Sequence, residues 1–179
     1  MEELSLHILD IVLNSIRAKA NIITIDIYDS DQNNTVQMTI QDNGIGMNEE
    51  ILSKATEPYF TTKSCKAGLG LPLLKQLATT TDGSLELTSQ LQVGTRVKAS
   101  FTKNHVNTPP LGKLEETVVS MLQVAPQIDY FLTYQDDQHT FQLNTKEIKE
   151  VLKDVTINNV DVLLYIKDYV KKGMQNDID

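Results

Sequence analysis

Cysteine occurs once in the 179 residues, as Cys65, so an internal disulfide is excluded. Proline is sparse, with five residues, and aromatic residues make up only 6%. Positive charge is in short supply as well. The 16 Lys and Arg face 24 Asp and Glu, for a formal net charge of -8. That balance argues against a general nucleic-acid or membrane-surface binder, because both need a basic face. No apolar run is long enough to span a bilayer. The Met-Glu-Glu start lacks the basic, then apolar, pattern of a signal peptide, so a cytoplasmic protein is expected. Internal repeats and low-complexity tracts are missing too.

What remains is a chain of ordinary globular composition. Hydrophobic residues account for 40%, enough for one domain with a real core, or one domain plus a small annex. Residues 3–20 read as a helix. On it, His7, Asp10, Asn14 and Arg17 fall within an arc of about 80°, while most other positions are apolar. A surface helix has a broad polar face, so a narrow stripe predicts a buried helix whose stripe lines a cavity. Residues 22–28 and 35–41 read as strands of a hairpin. Residues 48–50 suggest a short helix start, and Pro72 suits the first turn of a helix over about 71–81. Strands are expected at about 84–89 and 93–102. The segment 104–112 reads as a linker. Beyond it, over 113–179, the pattern predicts a small αββαα unit: a helix at 113–124, a hairpin of 128–134 with 139–143, and helices at 145–153 and 159–172.

Three signals carry chemistry. Asp42 ends a strand and opens Asp-Asn-Gly-Ile-Gly. A carboxylate there can accept from the exocyclic amino group of adenine, while Gly44 and Gly46 let the backbone approach closely. The same residues would also serve as a plain hairpin turn. Gly68-Leu69-Gly70-Leu71 precedes a helix, and N–H groups at a helix N-terminus form an anion site. Lys63 and Lys66 upstream add charge, although the segment is neither a Walker A motif nor a dinucleotide fingerprint. On the first helix, the amide oxygen of Asn14 suits Mg²⁺. Asp10, one turn earlier, could move a proton, and Arg17, one turn later, could meet phosphate.

Residues 1–103 resemble the ATPase domain shared by gyrase, Hsp90, sensor histidine kinases and MutL-type repair proteins. Leu6–Ala20 resembles the N box, Asp42–Gly46 the first glycine box, and Thr56–Lys63 the phenylalanine box and start of the ATP lid. Gly68–Leu71 resembles the second glycine box, and Gly94-Thr95 the closing Gly-Thr. The resemblance implies an α+β fold of Bergerat type: a two-layer sandwich with a mixed, mostly antiparallel sheet and helices on one face. It implies ATP with Mg²⁺ under a mobile lid. Asn14 would bind the metal, and Asp42 with Thr95 would hold adenine. Gly44, Gly46, Gly68 and Gly70 would shape the pocket, and Leu69 and Leu71 would lend backbone amides. Lys63 and Arg17 match phosphate-contacting positions, Met47 and Phe60 complete the nucleotide-binding set, and Asp10 stands at the acidic position that is catalytic in the hydrolase branches.

Two departures bear on function. Only 13 residues precede Asn14, so the dimerising hairpin that carries the phosphoacceptor His of the kinases is not expected in this chain. His105 and His139 have no acidic neighbour of the kind that marks an acceptor. The tail also differs from the transducer domain of gyrase, Hsp90 and MutL. The expected function is therefore a Mg²⁺-dependent ATPase, or a phosphotransferase acting on a partner protein in bacterial signalling. An ATP-gated binding module with little turnover and an anti-sigma-type serine kinase are the alternatives. Cys65, between Lys63 and Lys66, could carry a redox role through a cation-stabilised thiolate, and an incidental small residue is the plainer reading.

Overall fold

The computed structural model describes residues 3–58 and 69–175. Tyr59 to Gly68, which include Phe60, Lys63 and Cys65, lie outside them. The elements run α1 (Leu4–Arg17), β1 (Ile22–Ser30), β2 (Thr35–Asp42), α2 (Glu49–Lys54), α3 (Gly70–Thr80), β3 (Ser84–Gln90), β4 (Gly94–Thr102), α4 (Leu114–Val124), β5 (Asp129–Asp136), β6 (Thr140–Asn144), α5 (Thr145–Leu152) and α6 (Val160–Met174).

Six strands form one sheet in the order β3-β4-β2-β1-β5-β6. Every pair is antiparallel except β1 with β5. Side chains alternate along each strand, and the register stacks the apolar ones into rows on a single face. One row reads Leu143, Leu132, Ile25, Ile40, Val97, Leu87. The next reads Phe141, Tyr134, Ile27, Met38, Ala99, Leu85. Leu4, Ile8, Ile11 and Val12 of α1, Leu74 of α3, Leu114, Val118 and Met121 of α4, and Ile166 and Val170 of α6 join the same buried cluster. The other face turns Asp26, Gln41, Glu86 and Arg96 to solvent. The fold is thus α+β in two layers, with the core between the sheet and its helices.

The first helix ends three residues earlier than its pattern suggests. Its last turn closes through the Ala18 N–H on the Asn14 carbonyl and the Lys19 N–H on the Ile16 carbonyl, and Lys19 turns out of the helix at φ 59°. Its burial is also one-sided. Leu4, Ile8, Ile11, Val12 and Ser15 recur at helical spacing and press on the core. His7 is buried, but Asp10, Asn14 and Arg17 are exposed among the described residues, as is Leu6. The stripe begins at the core and opens outward.

The region after the linker extends the sheet. β5 lies alongside β1 over Ile22–Asp29, and Tyr130, the largest fully buried side chain, sits in the shared core. The linker itself is an ordered strap. The Pro110 and Leu111 carbonyls accept from the N–H groups of Leu4 and Ser5, at 3.0 and 2.9 Å. These are donors that the first turn of a helix cannot satisfy within itself.

Candidate functional site

Just past the last apolar row, three strands contribute one polar row on the core face: Asp42 on β2, Thr95 on β4 and Ser89 on β3. The strand pattern forces this placement, since Ile40, Val97 and Leu87 occupy the row two residues back. The Asp42 carboxylate is held from both sides. Oδ2 accepts from the Ser15 hydroxyl of α1 at 2.6 Å. Oδ1 accepts from the Gly44 N–H at 2.8 Å and the Thr95 N–H at 3.3 Å. A carboxylate offers about four acceptor positions, so one position on Oδ2 is left for an incoming donor.

The loop after Asp42 is fixed by its neighbours. The Ile45 N–H bonds to the Ala18 carbonyl at 2.8 Å, and the Gln92 N–H to the Ile45 carbonyl at 2.7 Å. The Met47 N–H reaches Ser89 Oγ at 2.8 Å. Gly46 turns at φ 64°, where an added Cβ would lie 2.0 Å from the Gln90 carbonyl oxygen. Gly94, at φ 136°, brings β4 so close to β2 that a Cβ would lie 1.9 Å from the Asp42 carbonyl oxygen. Side chains at either position would push the row apart. Asn43 secures the other flank: its Oδ1 accepts from the N–H groups of Asn21 and Ile22, both at 3.0 Å.

The helix stripe stands beside the start of α3. A Cβ on Gly70 would lie 3.7 Å from the Asp10 Cβ, so Asp10, Leu69, Gly70 and Leu71 come together. α3 begins without a side-chain cap, which leaves its first-turn N–H groups unpaired within the helix. Arg17 donates from Nη1 to Asn14 Oδ1 at 3.1 Å, the i,i+3 pairing expected of neighbours on a helix surface. The fold thus gathers Asp42, Gly44, Gly46, Met47 and Thr95 at one strand end, and Asp10 at the start of α3, with Asn14 and Arg17 further along the same stripe. Phe60, Lys63 and Gly68 fall outside the described residues.

Sequence reasoning missed Ser15 and Ser89. The signal for each was a small polar residue at a position whose periodicity points inward. Two of the histidines have a carboxylate nearby in the fold. His105 Nε2 lies 4.0 Å from Asp82. His139 Nδ1 lies 2.8 Å from Asp136, and its Nε2 is 3.1 Å from the Gly173 carbonyl, which fastens the β5–β6 turn to α6.

Comparison with known proteins bears on the same stretch of the chain. Residues 2–105 match the family described as histidine kinase-, DNA gyrase B- and HSP90-like ATPase. Sporulation kinase A of Bacillus subtilis is 30% identical over 95 residues, which cover 53% of this chain and 16% of that protein. The C4-dicarboxylate transport sensor protein DctB of Pseudomonas aeruginosa is 34% identical over 94 residues, 51% of this chain and 15% of that one. The chain therefore matches only about a sixth of the length of these relatives. Among solved structures, the N-terminal domain of a DNA repair protein superposes with a TM-score of 0.54 at 15% identity, covering 97% of this chain and 57% of that one. That likeness extends across the strap and β5–β6, and it speaks to fold alone. The family match spans more than half of the chain and includes every element of the site: this protein belongs to the histidine kinase-, DNA gyrase B- and HSP90-like ATPase family, and its sheet is of the Bergerat type.

Proposed function

We propose that this chain binds ATP with Mg²⁺ and either hydrolyses it or passes its terminal phosphate to a partner protein in bacterial signalling. The observation that carries the reading is the Asp42 carboxylate, pinned by Ser15, Gly44 and Thr95 with one acceptor position left over. An adenine amino group fits that position. The names of the relatives, a sporulation kinase and a transport sensor protein, support the signalling context.

The residues present suit the metal. Asn14 offers a hard amide oxygen on the exposed stripe, and Mg²⁺ is held by one or two protein ligands together with substrate phosphates. When bound, the ion would screen phosphate charge. Arg17, which now donates to Asn14, would meet a phosphate oxygen, and the N–H groups at the start of α3 would add an anion-binding end. Asp10, beside Gly70, would accept the proton of the attacking water or acceptor hydroxyl. Lys63, Phe60 and Gly68 would contribute from the lid segment.

Titration calorimetry with ATP and Mg²⁺, followed by assay for ADP in the same sample, tests both halves. Binding without ADP would leave the enzyme reading unsupported. Asp42→Asn should lose binding, and Asp10→Asn should keep binding and lose turnover. Equal turnover in wild type and Asp10→Asn would remove Asp10 from catalysis.

A second reading, an ATP-gated binding module, is favoured by the strap. The same helix that carries Asp10 and Asn14 is bonded at its start to Pro110 and Leu111 and through Ser5 to Thr117 of α4. Nucleotide could then bias how the region beyond residue 112 meets a partner, provided it binds two states unequally. A partner that binds equally well with and without ATP would count against it.

A further inference from the structure

Aromatic residues are scarce in this chain, yet three of them form a line that leads out of the core through α6. Phe141 of β6 is buried, and its ring meets Tyr169 edge-on with centroids 5.2 Å apart. Tyr169 stacks in turn on Tyr165, at 6.2 Å and an interplanar angle of 8°. Tyr165 is 68% exposed, and beside it Leu164 and Val160 are exposed as well. Among the described residues, no other helix exposes more than one large apolar side chain. The helix does not need these three for its own packing, since Leu163, Ile166, Val170 and Gly173 form its buried face.

The charges along this exposed face are ordered. Asp161 stands in the first turn of α6, and Lys171 and Lys172 stand in the last. Asp168 pairs with Lys172 inside the same helix at 2.9 Å, so the carboxylate nearest the rings is already neutralised. Asp161 and Lys171 are about 15 Å apart along the axis at 1.5 Å per residue. Their midpoint falls at the level of residue 166, next to Tyr165. A second α6 laid antiparallel about that midpoint sets Asp161 of each copy against Lys171 of the other. It also brings the two Tyr165 rings together near the two-fold axis.

We infer that the outer face of α6 is a self-association surface, on which a second copy of this chain docks its own α6 antiparallel, with Tyr165 and Leu164 at the centre and an Asp161–Lys171 pair at each end. A different protein would need the reverse order of charge to fit. A second copy turned end for end carries that order by construction, as a two-fold interface requires. The stacked tyrosines offer a large contact area whose rings are already fixed, so little side-chain freedom is lost on docking. The net charge of -8 opposes association at long range, but salt screens it within about 8 Å and leaves the short pairs. A seam of two helices about 22 Å long lies at the low end of specific interfaces, so the dimer should exchange with monomer. β6, which α6 covers, is at the opposite end of the sheet from β3. The Asp42 row and the start of α3 therefore stay open in the dimer, and association does not depend on nucleotide.

Sedimentation equilibrium of the full chain across a concentration series tests this. The wild-type mass should climb from 20.1 kDa towards twice that value, equally with and without ATP. Tyr165→Asp should hold it at the monomer value, with circular dichroism to check that this exposed substitution leaves the fold intact. Asp161→Lys alone, or Lys171→Glu alone, sets like charges together at both ends and should weaken association by at least about tenfold. An equal mixture of those two variants should regain it, because opposite charges then meet at both ends of the mixed pair. Should Tyr165→Asp unfold, the mixture poses the same question with the rings in place. A wild type that stays monomeric overturns the inference and leaves the face to a different protein. A dimer that tolerates Tyr165→Asp, or a mixture that does not recover, overturns it as well.

Discussion

Ser15 ties a helix to a strand end through one short bond, 2.6 Å from its hydroxyl to Asp42 Oδ2. Hydrogen bonds to charged groups are worth more than neutral ones, about 1.5–3 kcal/mol. Ser15→Ala should therefore lower ATP affinity by roughly tenfold, because the carboxylate loses a fixed partner and its aim. Calorimetry on the variant checks this. An unchanged affinity, with the thermal midpoint alone reduced, would make Ser15 a packing residue. Asp42 was legible in the sequence, since it ends an alternating strand and leads into Gly-x-Gly. Ser15 was not. On a helical wheel it belongs to the buried face, where a serine is indistinguishable from a small filler until the strand end beneath it is known. Ser89 was hidden for the same reason: alternation placed it inward on β3, but nothing local said which loop it would meet.

At the scale of the element, α1 is read well in its body and poorly at its ends. The periodicity of Leu4, Ile8, Ile11 and Val12 identifies the buried face. It does not reveal that the start of the helix has no side-chain cap and is closed by carbonyls from residues more than a hundred positions later. Glu3 strengthens this clasp: its Oε2 accepts from Ser5 Oγ at 3.3 Å and from the Lys113 N–H at 3.1 Å. Glu3→Ala should destabilise the fold by about 1 kcal/mol. The loss should concentrate as faster amide exchange at Leu4 and Ser5 relative to Ile11 and Val12. Uniform acceleration along α1 would contradict a local clasp. The stripe of Asp10, Asn14 and Arg17 opens outward because the apolar spacing is satisfied on one side of α1 alone, an outcome a wheel diagram cannot choose without the neighbouring helices.

At the scale of the whole molecule, the end of the sheet opposite the Asp42 row is a second polar region, and it sets how stability responds to pH. Tyr134 is pushed up to about 12 from 10.0, first by burial and then by the charge of Asp29, to which its hydroxyl donates at 3.4 Å. A raised folded value means the contribution is whole below the unfolded value and is lost as pH rises from about 10 to about 12. Tyr134→Phe should flatten that alkaline limb, as followed by denaturant midpoints. For Asp136, burial alone would raise the carboxyl, yet the N–H groups of Gln138 and His139 and the His139 ring outweigh it and hold it below its ordinary value. Its contribution is present above the ordinary carboxylate range and fades as pH falls through the lowered value. Asp136→Asn should lower stability near neutral pH and reduce its slope below about pH 4. A variant that keeps the wild-type acid slope would assign that slope to other carboxylates.

The same scale explains what the sequence could say about the tail. Its helices and hairpin were legible from local pattern. Its attachment was not, because a parallel neighbour leaves no hairpin turn to announce it. That parallel contact also has a consequence for how the chain is made. Residues 22–29 are made before their partner, and the strand that pairs with them is synthesised roughly a hundred residues later. During that interval one side of β1 is a bare row of amides and carbonyls beside Ile23, Ile25 and Ile27, an edge that any passing strand could join. The time taken to reach residue 136 thus sets how long that edge of β1 stays open during synthesis.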